Sequence, residues 1–153
     1  WSHYETSNWA APKPGQGHHT SQHNSAYWSG APYLALGPGA HGFLDATRYA
    51  NVSNNPRYIQ AIRQGTLREE PEALTARDRY NELVMTGLRT AVGISPEELR
   101  RATGVRPKDV DGEAWTRALN LGRLVEHRPG WFRIPERDWI TGDQVASSLF
   151  AVD

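Results

Sequence analysis

The residues in this chain best suited to chemistry are histidines, and they crowd one end. Five of the six (His3, His18, His19, His23 and His41) fall within the first 41 positions. A neutral imidazole offers a lone pair that zinc or haem iron accepts readily. The spacing matches no zinc motif, so a histidine here reads first as a polar surface or hydrogen-bonded residue. The run His23-Asn24-Ser25-Ala26-Tyr27-Trp28 is more informative. On a helical turn, His23 and Tyr27 stand four residues apart on one face, with Trp28 alongside. Such a face could take a flat apolar macrocycle, its iron on the imidazole nitrogen and its rings stacked on the aromatics. The same residues also read as an aromatic core anchor, with His23 donating to a backbone carbonyl. Anchors of that kind are far commoner than cofactor sites. Chemistry alone leaves both readings open.

A second candidate follows. Tyr33-Leu34-Ala35-Leu36 reads as a buried strand running into Gly37-Pro38-Gly39-Ala40-His41-Gly42. Three glycines there allow close approach of backbone to a ligand or to a neighbouring strand.

Composition narrows the classes. The 153 residues suffice for one domain, or a small domain and part of another. Acidic and basic side chains balance at 17 each, without the basic excess that phosphate neutralisation demands of a nucleic-acid binder. There is no cysteine, so disulfides, thiolate zinc and cysteine-ligated iron–sulfur clusters cannot form within this chain. No apolar run approaches the ~18–20 residues of a membrane span, and no signal peptide opens the sequence. The expected compartment is the cytoplasm. The opening Trp1-Ser2-His3-Tyr4 lacks an initiator Met and is strand-like at once, which reads as part of something longer.

The elements that would position these residues change character along the chain. Residues 3–9 are strand-like and residues 11–26 loop-like, with Pro, Gly and Ser favouring turns. Phe43 to Val52 reads as a returning strand. From Asn55 the pattern is helical. Asn55-Pro56 suits a helix start, with Tyr58, Ile59 and Ile62 as its buried face. Thr75-x-x-Asp78 opens the longest helix, where Tyr80, Leu83, Val84, Gly87, Leu88 and Ala91 form an amphipathic stripe. Ser95-Pro96-Glu97-Glu98 has a capping-box arrangement. A helix over Gly112–Leu121 should turn Trp115, Ala118 and Leu119 inward. Leu124–His127 and Trp131–Ile134 should pair through Pro129-Gly130 in a type II turn. Thr141 should cap a last helix ending near Phe150. Helix, helix, hairpin, helix is a winged-helix-like order.

Several segments resemble one family. Tyr4-Glu5-Thr6-Ser7-Asn8-Trp9-Ala10 looks like the YEISNFA-type strand closing the radical SAM barrel of HemW-like proteins, relatives of the oxygen-independent coproporphyrinogen III oxidases. His23-Asn24-x-x-Tyr27-Trp28 is similar to the HNxxYW pattern associated with haem binding there. Tyr33 to Gly42 resembles the strand and glycine-rich turn that follow, Arg48-x-x-Asn51 also fits, and Tyr80 to Arg89 resembles a later helix. The resemblance weakens beyond about residue 95.

The resemblance implies an α+β chain: terminal strands of a radical SAM partial barrel with the HNxxYW loop over 1–54, then a mainly helical C-terminal domain over 55–153 with a winged-helix-like helix–hairpin–helix end. It implies His23 as axial ligand to haem iron, Tyr27 and Trp28 as porphyrin neighbours, and Asn24 orienting the turn or a propionate. Gly37, Gly39, Ala40 and His41 resemble the turn near the SAM-binding end. The family's CxxxCxxC motif is absent, so SAM and the 4Fe-4S cluster belong to the parent protein and this chain is expected to be inactive alone. Implied partners are haem, haem-accepting proteins and a possible second copy. The runner-up is the porphyrinogen oxidase itself. From a different class, the second half could be a winged-helix nucleic-acid module, although residues 112–121 offer phosphates only one arginine. Residues 95–153 could equally be a structural lid over the barrel mouth.

Overall fold

The computed structural model describes residues 1–15, 17–45, 47–66 and 74–152. The chain is α+β, with N-terminal strands followed by a mostly helical C-terminal region. It divides into two compact units, one of residues 1–28 with 75–153 and one of residues 29–74.

In the first unit, β1 (Ser2–Glu5) and β2 (Asn8–Ala10) form an antiparallel hairpin. Glu5 is buried at its turn, where its carboxylate accepts from the Ser7 amide at 3.1 Å and from the Asn8 side chain. The stretch expected to be loop holds a second small hairpin, β3 (Pro12–Lys13) with β4 (Gly17–His18), and then a helix, α1 (Gln22–Trp28).

The core of this unit lies under the C-terminal helices. In α3 (Ala76–Leu88) the expected stripe turns inward, with Tyr80, Val84 and Leu88 fully buried. Its start is a reciprocal cap: Thr75 Oγ1 accepts from the Asp78 amide, and the Asp78 carboxylate accepts from the Thr75 amide at 2.9 Å. Leu99 of α4 (Pro96–Thr103), Ala114 and Ala118 of α5 (Pro107–Asn120), Leu124, Ile134, Trp139 and Leu149 complete the cluster. At the kink in α5, Asp111 is extended and its carboxylate accepts from the Ala114 amide at 2.8 Å, so the helix restarts where residue 112 was expected to begin one. Ala118 is buried as expected, with Trp115 and Leu119 packed against the cluster. β7 (Val125–Arg128) pairs with β8 (Trp131–Arg133) around Pro129-Gly130, and Phe132 exchanges both backbone hydrogen bonds with Ile94.

Two expected caps differ. Ser95 makes no side-chain cap, and Glu98 accepts from Arg101 at 2.7 Å instead of reaching back. Thr141 Oγ1 donates to the Asp138 carbonyl of a preceding 3₁₀ turn, and the last helix, α6 (Gly142–Ser147), is shorter than expected.

The second unit contains the hairpin of β5 (His41–Leu44) and β6 (Thr47–Ala50) and the helix α2 (Asn55–Gln64). Its N-cap is Asn54, one residue before the expected one, with Asn54 Oδ1 accepting from the Arg57 amide at 3.1 Å. Two expectations fail here. Tyr33–Leu36 is not a buried strand: only Tyr33 bridges to Phe43, while Leu34 and Leu36 are 66% and 84% exposed. Ile59 and Ile62 are also exposed, and Ala61 is the buried position of α2. A continuous apolar run becomes a buried strand only when both of its faces are covered. Within this unit one face is.

Candidate functional site

α1 carries the first candidate set, and its local cause is a cap. Ser21 Oγ accepts from the Asn24 amide at 3.2 Å and the Ser21 carbonyl from the Ser25 amide at 3.0 Å, which closes the first turn. His23 and Tyr27 therefore share a face, their rings edge to face with centroids 4.9 Å apart and planes at 90°. His23 and Tyr27 are exposed, and Asn24 and Trp28 half-buried. The His23 ring nitrogens bond to no described residue. The Trp28 indole N–H is buried with no acceptor among the described residues, an unusual state for a buried donor. An exposed imidazole beside the Tyr27 ring could serve as an axial haem ligand, since the porphyrin supplies four nitrogens and the protein one or two ligands. The described residues contain no group of three or more His, Cys, Asp or Glu placed to hold a bare metal ion.

The second set lies in the second unit. Gly37 and Gly39 have φ of 105° and 69°, left-handed conformations that favour glycine. Buried Asn51 organises the turn: its side-chain amide donates to the carbonyls of Ala35 at 3.1 Å and Gly37 at 3.0 Å, and its backbone amide to that of Ala40 at 2.8 Å. The amide of Gly37 donates to the Tyr58 hydroxyl, that of Gly39 to the Val52 carbonyl, and that of Ala40 to the Gly37 carbonyl. His41 is exposed at the start of β5, in register with Ala50.

Sequence reasoning counted His3 among the N-terminal histidines without finding its neighbours. Its ring stacks on Trp9 at 3.9 Å, meets Trp139 edge-on at 4.2 Å, and places Nδ1 2.7 Å from a Glu136 carboxylate oxygen. The signal available was that His3 and Trp9 would face each other across a tight hairpin. Nothing local pointed to residues 136 and 139. Nearby, Arg89 forms a two-pronged pair with Asp143, at 2.9 and 2.6 Å, which raises the guanidinium pKa and holds the Asp143 carboxyl below its ordinary value.

Likeness in sequence and fold defines the class. The family model of the HemN C-terminal domain matches residues 74–139, extending well past the point where individual motifs fade. The heme chaperone HemW of Bacillus subtilis (strain 168) is 34% identical over 110 residues, 71% of this chain and 27% of that protein. The heme chaperone HemW of Lactococcus lactis subsp. lactis (strain IL1403) is 29% identical over 128 residues, covering 84% and 32%. The bovine mitochondrial radical S-adenosyl methionine domain-containing protein 1 is 35% identical over 103 residues, 60% of this chain and 22% of that protein. Among solved structures, coproporphyrinogen III oxidase (HemN) from Escherichia coli, a radical SAM enzyme, matches 88% of this chain and 30% of its own, with a TM-score of 0.61. At 15% identity that likeness shows the fold. The chain belongs to the HemN/HemW-like radical SAM family and corresponds to its C-terminal portion. It spans about a quarter to a third of the length of the HemW relatives. Having no cysteine, it cannot by itself ligate the cluster of a radical SAM enzyme.

Proposed function

We propose that this chain is the haem-binding C-terminal part of a HemW-type protein that captures and delivers haem, with His23 as axial ligand to the iron. The observation that carries the reading is the His23 imidazole, exposed beside the ring of Tyr27 and without a hydrogen-bond partner among the described residues. Tyr27 and Trp28 would flank the porphyrin, the orphaned Trp28 N–H would find its acceptor in the loaded state, and Asn24 would orient the turn or a propionate. Bound haem supplies the iron centre; the chain supplies one nitrogen ligand and aromatic surface. The names of the HemW relatives support this reading over a purely structural aromatic anchor.

In the same proposal, Gly37, Gly39, Ala40 and His41 form the SAM-proximal turn of the parent. The amides of Gly37, Gly39 and Ala40 are already donated within the unit, so a ligand would meet backbone surface at those three positions instead of free donors. Residues 1–54 derive from the end of a radical SAM barrel and 55–153 from the HemN-type C-terminal domain with a winged-helix-like end, a division by ancestry. The 4Fe-4S cluster and SAM belong to the rest of the parent, the compartment is the cytoplasm, and haem-accepting proteins, with a possible second copy, are the partners. Coproporphyrinogen III oxidase activity is the second reading, favoured only by the fold likeness to HemN. Balanced charge disfavours a nucleic-acid module.

Haem titration of the wild-type chain and of His23→Ala, followed at the Soret band, tests the assignment. We expect the substitution to shift the band and to weaken binding at least tenfold, about 1.4 kcal/mol. Identical spectra and affinity would remove His23 as the ligand. Turnover of coproporphyrinogen III by the parent protein would favour the second reading.

A further inference from the structure

Tyr4 is committed to two neighbours at once. Around it, the backbone of β1 docks on the turn after α3: the Ala91 amide donates to the Tyr4 carbonyl at 3.0 Å and the Thr6 amide to the Arg89 carbonyl at 2.9 Å. The stacked, hydrogen-bonded His3 fixes the same strand to Trp139 and Glu136. The Tyr4 phenol oxygen, in contrast, reaches α1, where it accepts from the Ser21 amide at 3.2 Å. Ser21 is the residue whose side chain and carbonyl close the first turn of that helix.

α1 needs such a tether. Its seven residues include none that is buried, and a helix far shorter than ~12–15 residues is not self-sustaining in water. We propose that Tyr4 is the positioning residue of the α1 face, transmitting the placement of the C-terminal helices to the helix that carries His23. Its functional meaning rests on the haem reading above; its structural content rests on the hydrogen bonds alone.

Tyr4→Phe removes one oxygen and keeps the ring. Amide hydrogen exchange on the full chain, read beside haem titration, tests the proposal. The amides of Ser21, Asn24 and Ser25 should exchange roughly fivefold faster, the loss expected for one ordinary hydrogen bond. Those of Thr6 and Ala91 should keep wild-type protection, and haem should bind roughly fivefold more weakly with a broadened Soret band. Unchanged exchange at Ser21–Ser25 would overturn the proposal, as would equal deprotection of Thr6 and Ala91, which would mean that the variant merely undocks β1. Where His23→Ala weakens haem binding, a Tyr4→Phe affinity equal to wild type overturns the role as well. Should His23→Ala bind haem as wild type does, the haem reading fails, and the exchange data still decide the role of Tyr4.

Discussion

A side chain's surroundings, more than its type, decide its chemistry, and the aromatic residues here show it. Tyr27 is 43% exposed beside an open imidazole, while Tyr80 is fully buried with its hydroxyl at a long 3.4 Å from the Leu149 carbonyl. Desolvation penalises the phenolate, and burial pushes the Tyr80 hydroxyl up to about 12. A raised folded-state value means that the stability linked to the neutral phenol is fully present below the ordinary value of about 10. It is lost as pH climbs through the raised one. In a phenolate absorbance titration, one tyrosine of the six should ionise last and together with alkaline unfolding. Tyr80→Phe should abolish that step. A wild-type protein that completes ionisation in the ordinary range while still folded would contradict this. The shared face of His23 and Tyr27 was legible from their spacing, while the reading of His23 as a haem ligand came from the family resemblance. The orphaned Trp28 donor was not legible, because satisfaction of a buried N–H depends on what surrounds it.

At the scale of the element, local sequence wrote most of the starts and some of the ends. Thr75 and Asp78 satisfy each other's amides within four residues, so the start of α3 could be read without tertiary information. Thr75→Ala should cost about 1 kcal/mol, measured as a lower denaturation midpoint at unchanged slope. The Thr75 hydroxyl, and then its amide, hold the Asp78 carboxyl below its ordinary value. This depressed group contributes stability fully above its unfolded value of about 3.9 and loses it as pH falls through the lowered one. The gap between wild type and Thr75→Ala should therefore stay constant from neutral pH to about 4 and narrow below it. A gap that narrows first on the alkaline side would show that the carboxylate takes no part in the cap. Ser95-x-x-Glu98 has the analogous arrangement yet makes no side-chain cap, and its glutamate accepts from Arg101 one turn on.

For the whole molecule, burial separates leucines that look alike in the sequence. Leu88 is buried to 1% on the stripe of α3 in the first unit, and Leu36, in an apolar run of the second, is 84% exposed. Leu88→Ala should lose about 2–5 kcal/mol through lost transfer energy and a cavity. Leu36→Ala should change stability by less than about 0.5 kcal/mol. Chemical denaturation of the two variants checks the contrast, and equal losses would show that Leu36 is covered in solution. Gly93 marks another global constraint: at φ 75° its missing Cβ leaves room for the Phe132 carbonyl oxygen of β8, a neighbour 39 positions away in sequence.

Residue order alone carried the family motifs, the lack of thiolate ligands, the stripe of α3, its cap, the Pro-Gly hairpin and the His23–Tyr27 spacing. Each depends on the bonding of residues within about four positions, or on composition, and such information is local. Folding settled which apolar faces are covered, that His3 lies between two indoles, and that the Tyr4 hydroxyl tethers α1. Those outcomes depend on surfaces brought together from distant positions, which short-range periodicity does not encode.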